Sequence, residues 1–372
     1  MTTTTIHTIL ALASLVPSSH NCQPWQVIEV EQMNKQRTWL VGLHADKVLN
    51  ALPSLAREMY ISLGGFTCVL ANLLHWSGWQ VSLSVCSDPD KRHIPEPIRK
   101  TFLPVYCLSL FSGGQGCATH FERLSRLLQE RQTYRGQLHE TTMTDCFELN
   151  ELLPIRLPNP NPLAGKVRWR LADVDARNEV ATLMARYATY DFSHSRAWKE
   201  TYHFIDFSSR KGDQKRGGFN IAQLMGPMNA VQRLFYQVVL SPHLMWLTGL
   251  FGLPRRIANT LANLVKTTHL LYIESDSTNG PLLQCLAGEC MIHGWLTLTH
   301  QGFLMHPVSV LLQHDDSRHA LTNALNSPNE ILFLARVGVA QLPLTTCRYR
   351  WPVESFFQSL QQVNHLITEE LV

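Results

Sequence analysis

Four arginines in a charge-poor chain are the first groups able to do chemistry: Arg131 and Arg135 on either side of Thr133, and Arg348 and Arg350. A guanidinium is a planar fork of donors that suits phosphate oxygens, and a threonine hydroxyl adds one more donor. A dianionic phosphate could use all of these groups. Each pair taken alone reads first as surface arginine with carboxylate partners. A second polar cluster is PSSHNCQPWQ, residues 17–26. Pro17 and Pro24 fix φ and lack backbone donors, and between them Ser18, Ser19, Asn21 and Gln23 offer short hydrogen-bonding side chains. It reads either as a surface loop or as a turn facing a polar ligand. Asp315 and Asp316, with His314 and His319, read as a solvated loop rather than a metal site. No Ser-His-Asp or paired-carboxylate arrangement for acid–base catalysis is visible.

These groups need elements to hold them. Residues 6–16 are apolar at near-helical spacing, and residues 27–43 alternate as a hairpin. Residues 54–79 form a broad apolar helix whose paired glycines, Gly64 and Gly65, permit a close approach, of another helix or of a ligand. Residues 105–111 read as a strand, SGGQG after them as a flexible turn without a dinucleotide-binding spacing, and residues 120–131 as an amphipathic helix. The Pro/Asn run at 154–162 marks a domain boundary. A helix is expected over 175–191, strands over 269–275 and 331–339, a buried helix from 280 that stops near Gly302, and a terminal basic turn and helix over 345–360. The helix, strand, helix order occurs once in each half.

The chain has 372 residues, enough for two ordinary domains. Hydrophobic residues make up 45% and charged residues 16%, which is a globular composition. A net charge of +3 is too small and too dispersed to imply a nucleic-acid groove, and the basic run at 209–218 reads first as a solvated loop. Nine scattered cysteines without a CxxC pair point to reduced thiols and a cytoplasmic setting. No Lys or Arg precedes the apolar N-terminal stretch, which disfavours a signal peptide. The run 234–254 is membrane-like but interrupted by Gln237, Ser241, Pro242 and His243, so it is expected to form buried or interface helices broken at Pro242, with peripheral membrane contact left open.

Taken together, these segments resemble the flavin-dependent nitroreductase family. PSSHNCQPW is similar to that family's Ser-Ser-x-Asn-x-Gln-Pro-Trp loop, which implies flavin contacts for Ser18, Ser19, Asn21 and Gln23. RQTYR resembles the arginine motif that grips the FMN phosphate and reaches the ring's N1/O2 edge, assigning Arg131, Thr133 and Arg135. RYRWPVE resembles the C-terminal signature with a second phosphate clamp, at Arg348 and Arg350. GFLMHPVS is similar to the segment that places a backbone N–H at flavin N5, matched by Pro307, Val308 and Ser309. Gln132 and Tyr134 depart from the usual Arg-Arg-Thr-Asn-Arg. The serine loop precedes the arginine motif here, an order that resembles the Acg-type tandem subgroup, as does the segment holding Arg57 and Ser62.

The resemblance implies an α+β fold of two nitroreductase-like halves, residues 1–155 and 163–372, each an antiparallel-rich sheet flanked by helices, with a helical insertion or lid at about 200–265. It implies an FMN-dependent oxidoreductase moving hydride through N5 to or from a small-molecule substrate, with NAD(P)H as a candidate donor and no catalytic side-chain acid or base. The alternatives are a biosynthetic flavin dehydrogenase or oxidase, and an FMN-sequestering protein with little turnover. The chain would act as a pseudo-dimeric monomer or as a homodimer.

Overall fold

The computed structural model describes residues 5–33, 36–88, 91, 94–143, 149–158, 167–190, 194–208, 217–276, 280–340 and 348–360. Residues 209–216 of the basic run, the linker beyond Pro158, Cys146 and Cys347 lie outside them.

The alternating segment at the start pairs as expected. Strands β1 (Trp25–Met33) and β2 (Gln36–His44) are antiparallel, from Trp25 opposite Leu43 to Met33 opposite Gln36. Helix α1 (Ile6–Ala13) comes before them and helix α2 (Leu55–Trp76) after them. By length and composition α2 could cross a membrane, yet it is a core helix, with buried residues around its whole circumference. Strands β3 (Trp79–Val85) and β4 (Phe102–Ser112) follow, with the four-residue helix α3 (Glu96–Arg99) between them and helix α4 (Ala118–Glu130) after them.

The later part of the chain builds a second sheet around a second long helix. Strand β5 (Val167–Leu171) pairs antiparallel with β8 (His269–Ser275), helix α11 (Pro281–His300) follows, and β9 (Leu304–Pro307) and β10 (Glu330–Gly338) complete the sheet, with helix α12 (Asp315–Ala324) between the last two. The second sheet runs β5-β8-β10-β9 and four strands of the five-stranded first sheet run β1-β2-β4-β3, the same order, with a strand from the end of the chain added outside β1. Between β5 and β8 lies an insertion: helices α5 (Val174–Tyr187) and α6 (Ser195–His203), short strands β6 (Ile205–Asp206) and β7 (Phe219–Asn220), and helices α7 (Ala222–Met225), α8 (Ala230–Val239), α9 (Met245–Leu250) and α10 (Leu253–Lys266).

The two long helices meet backbone to backbone. A Cβ at Gly64 would lie 2.0 Å from the Cys285 carbonyl oxygen, and one at Gly288 would lie 1.9 Å from that of Ile61. Between the two readings of Gly64 and Gly65, the fold decides for helix packing.

Two expectations are corrected. Where a helix is expected after the basic turn within 345–360, the described residues form a short turn (Val353–Ser355) and strand β11 (Phe357–Ser359), parallel to β1. Val353 and Phe356 are buried in the core beneath the first sheet, and the Val27 N–H donates to the Phe356 carbonyl at 2.7 Å, so the open edge of β1 captures this late segment. Asp315 and Asp316 are not in a loop but in the first turn of α12, where acids complement the helix dipole. The apolar run breaks at Pro242, between α8 and α9, and of the two readings of these helices α8 excludes the buried one, since it has no buried residue and turns its apolar side outward.

The chain also crosses between its sheets. Thr133 bridges to Met305 and His139 to Val339, which lays residues 133–139 along the second sheet, while residues 357–359 return to the first.

Candidate active site

The turn at 17–24 is unusual in its backbone. His20, Asn21 and Gln23 all have positive φ, near +50°, a conformation that costs a side-chain-bearing residue about 1–3 kcal/mol. Its own polar groups hold it there. The Gln23 N–H donates to Ser18 Oγ at 2.9 Å, and the N–H groups of Asn21 and Cys22 donate to the carbonyls of Ser18 and Ser19. Asn21 Nδ2 donates to the carbonyls of Gly218 and Tyr349, both at 3.0 Å, while its Oδ1 accepts from Arg350 Nη1 at 2.9 Å. Gln23 Oε1 accepts from the Trp351 N–H at 3.0 Å. One asparagine therefore joins the early turn, the insertion and the C-terminal segment.

That junction encloses a cavity of ≈80 Å³ bordered by Ser18, Asn21, Arg131, Thr133, Arg135, Arg348 and Arg350. A larger cavity of ≈330 Å³ adjoins it, sharing Pro17, Ser18, Thr133, Arg135 and Phe219 and extending past Ser19, His20, Trp295 and residues 307–309. The fold thus brings eleven of the twelve residues singled out in the sequence to two adjoining cavities. Gln23 lines neither and serves to fasten the turn.

The small cavity is strongly cationic. Among the described residues, no carboxylate forms an ion pair with any of its four guanidinium groups. Arg131 donates through Nη2 to the Leu15 carbonyl at 2.8 Å and stacks on Trp295, but its Nε and Nη1 are buried without a partner, as is Arg350 Nε. Arg348 donates to the Arg131 carbonyl at 2.9 Å. Arg135 lies 4.5 Å over the Phe219 ring. Burial, reinforced by repulsion from Arg350 and Arg348, holds Arg131 well below the usual guanidinium range, and burial pushes Arg135 and Arg350 down to about 10. Buried guanidinium donors left without a partner, as on Arg131 and Arg350, are costly unless an anion joins them.

Sequence reasoning missed several groups. Arg336, almost fully buried in β10, donates through Nη2 to the carbonyls of Arg135 at 2.8 Å and Gly136 at 2.7 Å, and through Nε to His306 Nδ1 at 2.9 Å. It clamps the arginine loop from behind. Its signal was a lone charge inside an apolar strand, which must find partners when buried. His20 lines the larger cavity with Nδ1 unpartnered, and burial followed by the charge of Arg135 lowers its pKa to about 4, so it is neutral at pH 7. Trp198, Thr201 and Phe219 of the insertion form part of the cavity wall, and nothing local in their sequence marks them.

No family model matches the chain. A probable NAD(P)H nitroreductase, PigM of Serratia sp. (strain ATCC 39006), is 30% identical to it over 345 residues, spanning 91% of this chain and 90% of the relative. The chain belongs to the nitroreductase family. Among solved structures, the FMN-dependent nitroreductase NfnB of Mycobacterium smegmatis aligns with a TM-score of 0.34 and 12% identity over 59% of this chain and 88% of its own. The FMN- and NADPH-dependent nitroreductase NfnB of Sphigopyxis sp. strain HMH aligns at 0.34 and 12%, over 58% and 88%. For a nitroreductase-family chain, the two adjoining cavities are the candidate active site.

Proposed function

We propose that the protein is an FMN-dependent oxidoreductase with one flavin site, in which the small cationic cavity takes the phosphate and the larger cavity takes the ring. The observation that carries this reading is the convergence of four guanidinium groups, Arg131 buried and the other three half-buried, from segments more than two hundred residues apart, with unpartnered donors on Arg131 and Arg350 and no carboxylate partner among the described residues. PigM is by its name an NAD(P)H nitroreductase, and a phosphorylated flavin fits this donor set. Arg131, Arg348 and Arg350 would neutralise the phosphate, and Thr133 would add a hydroxyl donor. Arg135, which borders both cavities, is the cation available to the ring's N1/O2 edge, where fixed positive charge favours reduction. Pro307 has no N–H and the Val308 N–H is taken by the Leu334 carbonyl at 2.9 Å, so of the three Ser309 would be the backbone donor available to N5. When bound, the flavin supplies hydride transfer at N5.

The matching strand orders of the two sheets, and the glycine-mediated contact of α2 with α11, support reading the chain as a tandem pseudo-dimer of the Acg type. A second reading, flavin sequestration, has one observation in its favour: Trp198, Thr201 and Phe219 of the insertion wall the larger cavity. Purified protein should carry FMN or bind it stoichiometrically, and anaerobic NADH or NADPH should bleach it rapidly. Slow bleaching with photoreduction intact selects sequestration, or a dehydrogenase with its own donor. Failure to bind FMN at all overturns both.

A further inference from the structure

The insertion has an outward surface that the flavin site does not use. On α8, Val231, Leu234, Phe235 and Val238 fall at i, i+3, i+4 and i+7, so they share one face, and they are between 47% and 77% exposed. The opposite side of α8 serves the fold: Tyr236 packs on a cluster with Trp198, Ile205 and Phe219, and Arg233 turns back to donate to the Ser208 carbonyl at 2.7 Å. Leu247 on α9 and Phe251 after it, the latter 76% exposed, continue the apolar series. Six large apolar side chains turned to solvent within about twenty residues exceed the scattered exposure of an ordinary surface.

The charges along this stretch of the chain have one sign. From residue 217 to residue 273 there is no Asp or Glu, and the basic residues are Arg233, Arg255, Arg256 and Lys266. Arg255, Arg256 and Lys266 are exposed on α10, the helix that follows. An apolar helix face with Phe and Leu, flanked by arginine and lysine and free of acids, is the pattern of a helix lying in a membrane interface. Helices of ten and six residues are too short to cross a bilayer, so contact would be confined to the headgroup boundary. A second copy of the chain meeting this stretch, which carries arginine and lysine and no acid of its own, would set like charges together, whereas an anionic lipid surface complements both the apolar face and the basic groups.

From this we infer that the α8–α9 surface docks the protein on anionic membranes. The test is flotation with vesicles of phosphatidylcholine and phosphatidylglycerol in equal parts, against phosphatidylcholine alone. Wild-type protein should float with the anionic vesicles about tenfold more than with the neutral ones, and added salt should reduce that difference. F235D/F251D should abolish flotation. R255E/R256E, which alters surface charge only, should lower it on anionic vesicles. Unchanged circular dichroism and melting temperature establish that each variant is folded, independently of any flavin. The inference is overturned if wild-type protein fails to float, if it floats equally on neutral vesicles, or if folded variants float as wild type. It is also overturned if wild type is a dimer that F235D/F251D converts to monomer.

Discussion

Replacing Arg135 with methionine separates a ligand-binding role from a structural one more cleanly than any other change in the cluster. Its guanidinium pairs with no carboxylate among the described residues and rests on Phe219, yet it borders both cavities. Burial pushes its pKa down to about 10, a displacement worth about 3 kcal/mol at 1.36 kcal/mol per pH unit. The folded protein therefore holds the charged form at a cost throughout the range below pH 10, and that cost is relieved only as the pH rises toward the ordinary guanidinium value. Against it stands a desolvated cation–π contact of about 1–2 kcal/mol. Methionine keeps most of the stem and removes both terms, so the flavin-free protein should be unchanged or more stable by about 1–2 kcal/mol, and its melting temperature should not fall. Flavin binding should move the other way. Loss of a charge-assisted contact of about 1.5–3 kcal/mol corresponds to about a 10- to 150-fold rise in the FMN Kd. The assay is thermal melting of the flavin-free protein together with fluorescence titration by FMN. A lower melting temperature with an unchanged Kd would refute the reasoning, because Arg135 would then be a structural residue.

Three further outcomes follow from the same geometry. R336M should leave the carbonyls of Arg135 and Gly136 without their donor, cost about 3 kcal/mol in stability by denaturant unfolding, and raise the FMN Kd although Arg336 lines neither cavity. G288A should destabilise by about 3 kcal/mol or more in the same assay, since its Cβ would meet the backbone of Ile61, whereas alanine at Gly302, where nothing lies within 4 Å, should cost only its positive φ. His20, with a folded-state pKa of about 4 set first by burial and then by Arg135, takes up its proton more readily when unfolded, so stability should fall as the pH drops from about 6.5 to 4. H20N, which tolerates the same positive φ, should flatten part of that slope; an unchanged pH profile of stability would contradict the burial of this ring.

The functional pattern was legible in the sequence to the extent that it is local. The spacing of Arg131, Thr133 and Arg135, the pair Arg348 and Arg350, and the polar turn at 18–23 are visible in runs of a few residues, as are the periodicities of β1, β2, α2, β8 and β10. Short-range patterns suffice there because side chains two, three or four positions apart already fix which face of an element is apolar. Length and glycine content also allowed a close helix contact. Which surface Gly64 touches was open.

Tertiary structure alone decided the pairings between distant segments. Only the folded chain shows that Asn21 and Gln23 spend their hydrogen bonds on Gly218, Tyr349 and Trp351, that Arg336 braces the arginine loop, and that Trp198 and Phe219 reach the cavity. The terminal strand β11 is the clearest case. Residues 357–359 have too little local pattern to choose strand over helix, and the unfilled edge of β1, more than three hundred residues earlier, makes the choice for them. The outward face of α8 is decided likewise, because its sequence reads equally as a buried or an interface helix until the opposite side is seen to be the one that packs. Contacts between remote residues are set by which polar groups and apolar surfaces remain unsatisfied once each element has formed, and that remainder is a property of the whole fold.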